Sequence, residues 1–445
     1  MTANPSQRRP RFTLRDRRVL FLMGLVAFST GFGGSLMANT LPFARKSLGM
    51  TEGDMSAVFA VVRAASLFGL VFALQADTKG RRRPLLMAFL LLPAGNLITA
   101  MVPGVAAYVV GQSIARIGIV AVAGLAIVIV AEELSPALRG YGLGIYSVLG
   151  GLGTGLALWA LPIADGSLDG YRVLFGISAL SLLVFPILNR YLSESRAYVQ
   201  YSTKVTFSQA LKAGLSRHFW PLAGISFFVG AFASPAFDFA LERLIGTLSW
   251  DTRPALFLII VFSGGGMSGL FFGGRASDNI GRRPTTIVAL LFGLIGGIAF
   301  YTVTSGWLLA PAIFLATFGM SMLAPSFAAH RAELFPTRVR ASASGWLTNI
   351  AIVGSIFGFV IGRVTIERYG MASTISLLGA GLVIAMFLVY SLPETRGLDL
   401  VRGAAQQRAT PQTPPPEQQP APQSPTTPHE DPSPVVPPGQ EPPPQ

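Results

Sequence analysis

The chain has 445 residues, 51% of them hydrophobic and 12% charged, with a formal net charge of +13 and no Cys. A soluble domain carries roughly 25% charge, so an ordinary water-soluble enzyme is excluded, as are a disulfide framework and thiol chemistry. A basic face of the kind that grips nucleic acid is excluded too, because the Lys and Arg are spread over short segments between apolar runs.

Stretches of about 20 apolar residues cross a bilayer as helices, because lipid offers backbone polar groups no partner. Twelve are read in chain order, at about 19–41, 55–76, 84–103, 105–131, 140–163, 171–192, 219–243, 254–275, 284–303, 307–330, 341–362 and 371–392. An outer-membrane barrel would instead show roughly ten-residue segments of alternating polarity. The predicted fold class is an all-α membrane protein with twelve transmembrane helices. Most of the 34 Lys and Arg fall in the leader, the tail and the alternate loops on their side. The positive-inside rule then puts both termini in the cytoplasm of a plasma (inner) membrane protein, with the charge facing anionic lipid.

Residues 1–17 form a basic cytoplasmic leader. Arg15, Arg17 and Arg18 before an apolar run mimic a signal peptide. The run's length, and its counterpart at 219–243, keep it as a span. It reads GFGGSLMAN from Gly31 to Asn39, with no carboxylate. Span two carries Arg63, two turns from the outer surface and expected to snorkel. The following loop reads DTKGRR, Asp77 to Arg82. Gly80 tolerates the positive φ of a tight turn, and Asp77 suits the start of a helix. Arg81 and Arg82 hold the hairpin at the inner surface.

Span four carries Gln112 and Arg116. Arg116 sits about eleven residues in, or ~16 Å along the axis, near the bilayer midplane. An ionisable group at that depth is costly and marks a functional site. It binds a solute carboxylate or phosphate through bidentate contacts, pairs with a titrating acid, or bonds helix carbonyls. The loop EELSPALRG, Glu132 to Gly140, includes Arg139. Span five holds Tyr146 and the run GGLGTG, Gly150 to Gly155. That run superficially matches a dinucleotide fingerprint, which needs a strand before it. Within a span it permits close helix approach instead. The first half, 18–192, is followed by SESR, Ser193 to Arg196, inside a polar cytoplasmic loop, 193–218, with a short surface helix expected over Phe207 to Ala213.

The second half covers 219–396. Span seven contains Phe232, then Asp238 and Glu242 one turn apart. The two acids either share a proton or form a rim pair linked to Arg243. Span eight holds SGGGMSG, Ser263 to Gly269, and the loop DNIGRR, Asp278 to Arg283, follows. After two more spans comes ELFPTRVRA, Glu333 to Ala341, with Arg340 inside it. Span eleven adds Trp346 and Asn349, and the half ends at PETRG, Pro393 to Gly397, with Glu394. Residues 397–445 are a Pro-rich tail that cannot bury apolar area and is expected to be disordered. His218, His330 and His429 are far apart in sequence. No metal site, cofactor or catalytic constellation is expected.

The landmarks repeat. Asp77 and Asp278, Glu132 and Glu333, and Arg139 and Arg340 are each 201 residues apart. Recurrence in the same order means a duplicated six-span unit. The twelve helices therefore form two homologous six-helix bundles.

Paired D-x-x-G-R-R hairpins in two such halves resemble the major facilitator superfamily. The E-x6-R loops and PETRG resemble its sugar-porter-like, "sugar and other" branch. The resemblance spans Arg18 to Gly397. It implies two halves that rock about a central cavity to give alternating access. It also implies a state-dependent latch built from Asp77, Gly80, Arg81, Arg82, Glu132, Arg139, Asp278, Gly281, Arg282, Arg283, Glu333, Arg340 and Glu394; topology anchoring alone is the plainer role for the hairpins. Ala73 departs from the Gly usual in the first hairpin, while Gly274 fits. Many relatives carry Arg where Gln112 stands, so Arg116 keeps a cavity cation one turn along. Its counterpart Thr317 is uncharged. The helix-one acid of proton-coupled relatives is missing, and so is the sugar-binding helix-seven pattern, where Ser226, Phe227 and Phe232 stand.

The expected function is secondary transport of a small organic solute, anionic or amphiphilic, with proton coupling open, in a protein that works as a monomer among lipids. Its solute or coupling residues are expected among Arg116, Gln112, Tyr146, Phe232, Asp238, Glu242, Trp346 and Asn349. The alternatives are a drug efflux antiporter, which would carry Gly-Pro where Gly150-Gly151 stand, and a non-transporting membrane sensor with the tail as its output.

Overall fold

The computed structural model describes residues 12–194, 218–335 and 340–396, without the side chains of residues 77, 78, 136, 137 and 340–342. Most of the leader, most of the central loop, the expected helix over Phe207 to Ala213 and the Pro-rich tail lie outside the described residues. Inside them the chain is helical, without strands. The membrane helices are α1 (Leu14–Asn39), α2 (Glu52–Ala76), α3 (Arg82–Met101), α4 (Val105–Glu133), α5 (Pro136–Trp159), α6 (Gly170–Tyr191), α7 (Phe219–Asp238), α8 (Thr252–Asn279), α9 (Arg282–Thr302), α10 (Gly306–Leu334), α11 (340–369) and α12 (371–391).

The last two form one helical run, Arg340–Ser391, broken at Gly370, where φ is 77° and ψ 166°. Only glycine takes that backbone without strain, so the 49-residue apolar stretch folds back as two spans and completes twelve. The repeat is visible in the geometry. α4 and α10 are both 29 residues long. Gly80 and Gly281, with φ of 91° and 128°, turn the chain into α3 and α9.

In lipid, helices gain little by burying apolar groups from one another, so they associate by close packing. Gly31 lies against the Gly150 carbonyl between α1 and α5, and Gly230 against the Ala351 carbonyl between α7 and α11. A Cβ at either place would strike backbone, so these two contacts bind helices at equivalent positions in the two halves. Large apolar side chains such as Phe21, Leu183, Phe271 and Phe387 remain exposed on the outer surface, where lipid would lie. Trp159, Trp220 and Trp307, also exposed, stand at helix ends, as expected of an interfacial aromatic belt.

One end of the molecule carries the Gly80 and Gly281 hairpins. There each half is strapped by an acid from the chain beyond its sixth helix. Glu194 accepts the N–H of Arg81 at 2.6 Å and of Arg82 at 3.2 Å. Glu394 accepts those of Arg282 at 2.8 Å and Arg283 at 3.0 Å. Burial alone would raise the Glu394 carboxyl, but the N–H groups of Arg282, Arg283, Arg396 and Thr395 outweigh it and hold the group below its ordinary range. The short acidic clusters closing each half in the sequence are thus N-terminal caps for α3 and α9.

At the opposite, far end the halves meet. Phe59 of α2 stacks on Phe359 of α11 with ring centroids 4.9 Å apart, and Ser56 donates to the Phe359 carbonyl at 2.7 Å. Phe239, just past α7, joins the same aromatic group at 5.7 Å from Phe59. Such aromatic pairs contribute about 0.5–1.5 kcal/mol beyond area burial.

Candidate functional site

A cavity of about 200 Å³ lies between the halves, lined by α1, α2, α4 and α7. Its polar wall is made by Ser35, Asn39, Arg116 and Asp238, and its aromatic wall by Phe59 and Phe237. Arg116 reaches it because it sits in the middle of α4, on the side facing α1. Among the described residues its guanidinium makes no hydrogen bond or ion pair.

Asp238 is the last residue of α7, and its carboxylate accepts from Arg63 Nη2 of α2 at 2.6 Å. This pair joins the two halves at the edge of the cavity. Arg63 does not snorkel outward. An ion pair inside the protein is available to it one turn from the cavity, and a paired charge costs less there than a lone one in lipid. Two cations and one carboxylate face or border the chamber, so its net charge is +1.

One turn further, Glu242 accepts from Arg45 Nε at 2.8 Å, again across the halves. The Glu242 side chain is wholly buried while Arg45 keeps 26% of its surface. Asp238 and Glu242 therefore engage separate arginines. Arg243 is partner to neither, and its Nη2 donates to the Val303 carbonyl at 3.4 Å. Beyond them the far end carries lighter bridges: Thr51 to Glu367 at 2.7 Å, Thr252 to Asp165 at 2.9 Å, and Arg363 to Asp54 at 3.4 Å.

The other expected cavity residues stand elsewhere. Gln112 is buried between α3 and α4, donating to Thr99 at 2.9 Å and Asn96 at 3.3 Å. Phe232 is 1% exposed and packs on Gly297 of α9. Tyr146 packs beside the apolar core of the first half. Trp346 packs against the larger core, and Asn349 donates to the Gly345 carbonyl of its own helix at 3.0 Å. None of these five lines the cavity. The sequence reading missed Arg45 and Asn39. Arg45 lies in the last turn of the short helix Leu41–Leu48 between α1 and α2, and nothing in its own sequence context pairs it with Glu242, 197 residues away.

Of the proposed latch residues, Asp77 and Arg340 have side chains outside the described set. The ion pairs described at the hairpin end stay within a half: Arg81 with Glu132 at 3.3 Å, and Arg282 with Glu333 at 2.9 Å and with Asp278. Arg82 donates to the Leu192 carbonyl and Arg139 to that of Leu134. Arg283 lies over the Tyr390 ring, 3.9 Å from its centroid. On α5 and α8, Gly144, Gly151, Gly155, Gly264 and Gly274 face open space, where an added Cβ would meet nothing within 4 Å.

Twelve membrane helices in two repeated halves around a charged, partly aromatic chamber define a multi-pass carrier of small solutes. The family profile of the Major Facilitator Superfamily matches residues 23–348 and 224–428. The fold is similar to the inward open xylose transporter XylE from E. coli, with TM-score 0.71 and 16% identity over 88% of this chain and 99% of that one. It is also similar to an inward-facing bacterial homolog of the human lysosomal transporter Spinster, with TM-score 0.69 and 16% identity over 85% and 97% of the two chains. In sequence, the chain is 25% identical over 362 residues to a protein of Haemophilus influenzae named for metabolite transport, covering 74% of this chain and 84% of that one. It is 21% identical over 404 residues to a protein of Cupriavidus pinatubonensis named for 4-methylmuconolactone transport, covering 86% and 92%. The chain belongs to the Major Facilitator Superfamily. It is a transporter of small molecules and not an enzyme.

Proposed function

We propose that this protein is a secondary transporter of small organic anions that works by alternating access. The observation that carries this reading is Arg116, a guanidinium in the middle of α4 that lines the chamber without a partner among the described residues. Arg63 and Asp238 balance each other, so the uncompensated charge belongs to Arg116. A lone cation at that depth costs at least ~2.5–3.5 kcal/mol. An anionic solute relieves this cost through charge-assisted hydrogen bonds. The aromatic wall of Phe59 and Phe237 suits an apolar or unsaturated body. Relatives support the charge: a muconolactone bears a carboxylate, and another relative, 27% identical over 206 residues, is named for hexose phosphate transport.

The Lys and Arg distribution supports a plasma membrane protein with the hairpin end in the cytoplasm. The far end is then extracytoplasmic and closed by Arg63–Asp238 and Arg45–Glu242, while the glycine faces of α5 and α8 stand open. These features support an inward-facing state. The bodies 18–192 and 219–396 rock to the other state when both far pairs part and the glycine faces meet. Asp238 is the coupling carboxylate: with no acid in the Gly31–Asn39 stretch of α1, it is the one that shares the chamber with Arg116, and loss of its pair with Arg63 loosens the far seal.

The test is uptake in proteoliposomes with the Arg116→Gln and Arg116→Lys variants. Organic-acid uptake is expected to vanish in the first and fall in the second, which keeps charge without the planar fork. Undiminished uptake by Arg116→Gln would defeat the reading.

A further inference from the structure

We infer that Asn39 is the specificity-determining residue of the chamber, and that the solute is a carboxylate carrying a second hydrogen-bond acceptor, such as a keto, lactone or hydroxyl oxygen, remote from the carboxylate. The inference rests on the anion reading above and deepens it. Two polar side chains line the chamber without a partner among the described residues. One is Arg116 on α4. The other is Asn39 on α1, whose Nδ2 is buried and makes no hydrogen bond. The remaining polar groups are spoken for: Asp238 accepts from Arg63, and Ser35 donates to the Phe32 carbonyl of its own helix at 3.1 Å.

The position of Asn39 explains why its amide is left over. It is the last residue of α1, and Thr40 caps the helix by taking the Leu36 carbonyl with both its N–H and its hydroxyl. The chain then enters the short helix Leu41–Leu48, which has Pro in its first turn. The Asn39 amide makes no bond to this backbone, and its side chain lines the chamber. A buried donor without an acceptor is costly. Water can supply the acceptor in an empty chamber. A solute that displaces this water keeps the bond only if it carries an acceptor of its own.

Arg116 and Asn39 reach the chamber from different helices, α4 and α1, so each is assigned its own group of the solute. The carboxylate goes to the guanidinium fork and the second acceptor to the amide. Phe59 and Phe237 hold the apolar link between them. A site built to bond such an acceptor discriminates strongly against the analogue that lacks it.

The experiment is isothermal titration of the full-length protein in nanodiscs with 4-oxopentanoate and with pentanoate, which differ by one keto oxygen. Native protein is expected to favour 4-oxopentanoate by at least about tenfold. In Asn39→Leu this ratio falls to about one. Asn39→Asp keeps the side-chain shape, and so the fold, while replacing the donor with an acceptor, and its ratio also falls to about one. A native ratio near one, or a native-like ratio in both variants, would overturn the role of Asn39 and leave the anion reading standing. Failure of both acids to bind native protein, or native-like binding by Arg116→Gln, would instead overturn the anion reading and the inference with it.

Discussion

Asp238 ends the first helix of the second half, Arg63 stands in the second helix of the first, and their side chains meet at 2.6 Å directly beside the central chamber. One ion pair therefore borders the chamber and also ties the two halves together. The pair is 18–19% exposed on both sides, so screening by water is partial.

Breaking this pair is expected to open the far end. The chain has no Cys, so a single Ala38→Cys in the chamber wall reports accessibility without background. An impermeant thiol reagent added outside cells should label it slowly in otherwise native protein. With Asp238→Asn added, labelling should accelerate about tenfold, the change expected if the lost pair favoured the closed state by about 1.4 kcal/mol. An unchanged rate would show that Arg63 and Asp238 do not hold the far end shut.

The second pair predicts an asymmetry. Arg45→Gln leaves the wholly buried Glu242 without its counter-charge, and one of that carboxylate's oxygens already lacks a hydrogen-bond partner among the described residues. Glu242→Gln leaves only a part-exposed arginine. Stranding a buried charge costs roughly 3–5 kcal/mol. Thermal melting should therefore fall clearly in Arg45→Gln and much less in Glu242→Gln. Equal losses would mean that Glu242 is neutral in the folded protein.

The strap at Glu394 predicts a pH effect with a definite sign. Its folded carboxyl titrates below the ordinary value, so the ionised group stabilises the folded state above the ordinary carboxylate range. That contribution fades as pH falls through this range toward the lower folded value. Glu394→Gln should lower the melting temperature at neutral pH, and the gap to native protein should close in acid. A gap that persists in acid would assign the effect to packing rather than to capping charge.

The glycine faces predict a state-specific block. Gly144 of α5 faces empty space, so Gly144→Trp is expected to fold and bind solute in the present state. The bulk prevents α5 from closing on α8, and transport in counterflow should stop. Retained transport would exclude closure at this face.

Much of the fold was legible because each constraint was local or repeated. Span lengths, the 201-residue offset of Asp77 and Asp278, and the turn glycines Gly80 and Gly281 all translate directly into helices and hairpins. The caps were half legible: Glu394 stood out as part of a repeated acidic cluster, but only the structure brings it to the N–H groups of Arg282 and Arg283. The chamber was legible at Arg116 and Asp238, whose charge is anomalous in an apolar span. Gln112 illustrates the limit. A polar residue one turn from Arg116 looked like a second cavity group, yet it satisfies Asn96 and Thr99 on α3, because helix rotation decides which neighbour a side chain meets. Asn39 and Arg45 were overlooked for the converse reason: their chemistry comes from helices close only in space.

The most direct test of the account is a crystal structure with a brominated carboxylic acid bound. The anomalous bromine peak should lie in the chamber against Phe59 and Phe237, with the carboxylate on the Arg116 guanidinium, and Arg116→Gln crystals should lack it. A peak elsewhere, or an equally occupied chamber in Arg116→Gln, would contradict the anion-carrier account.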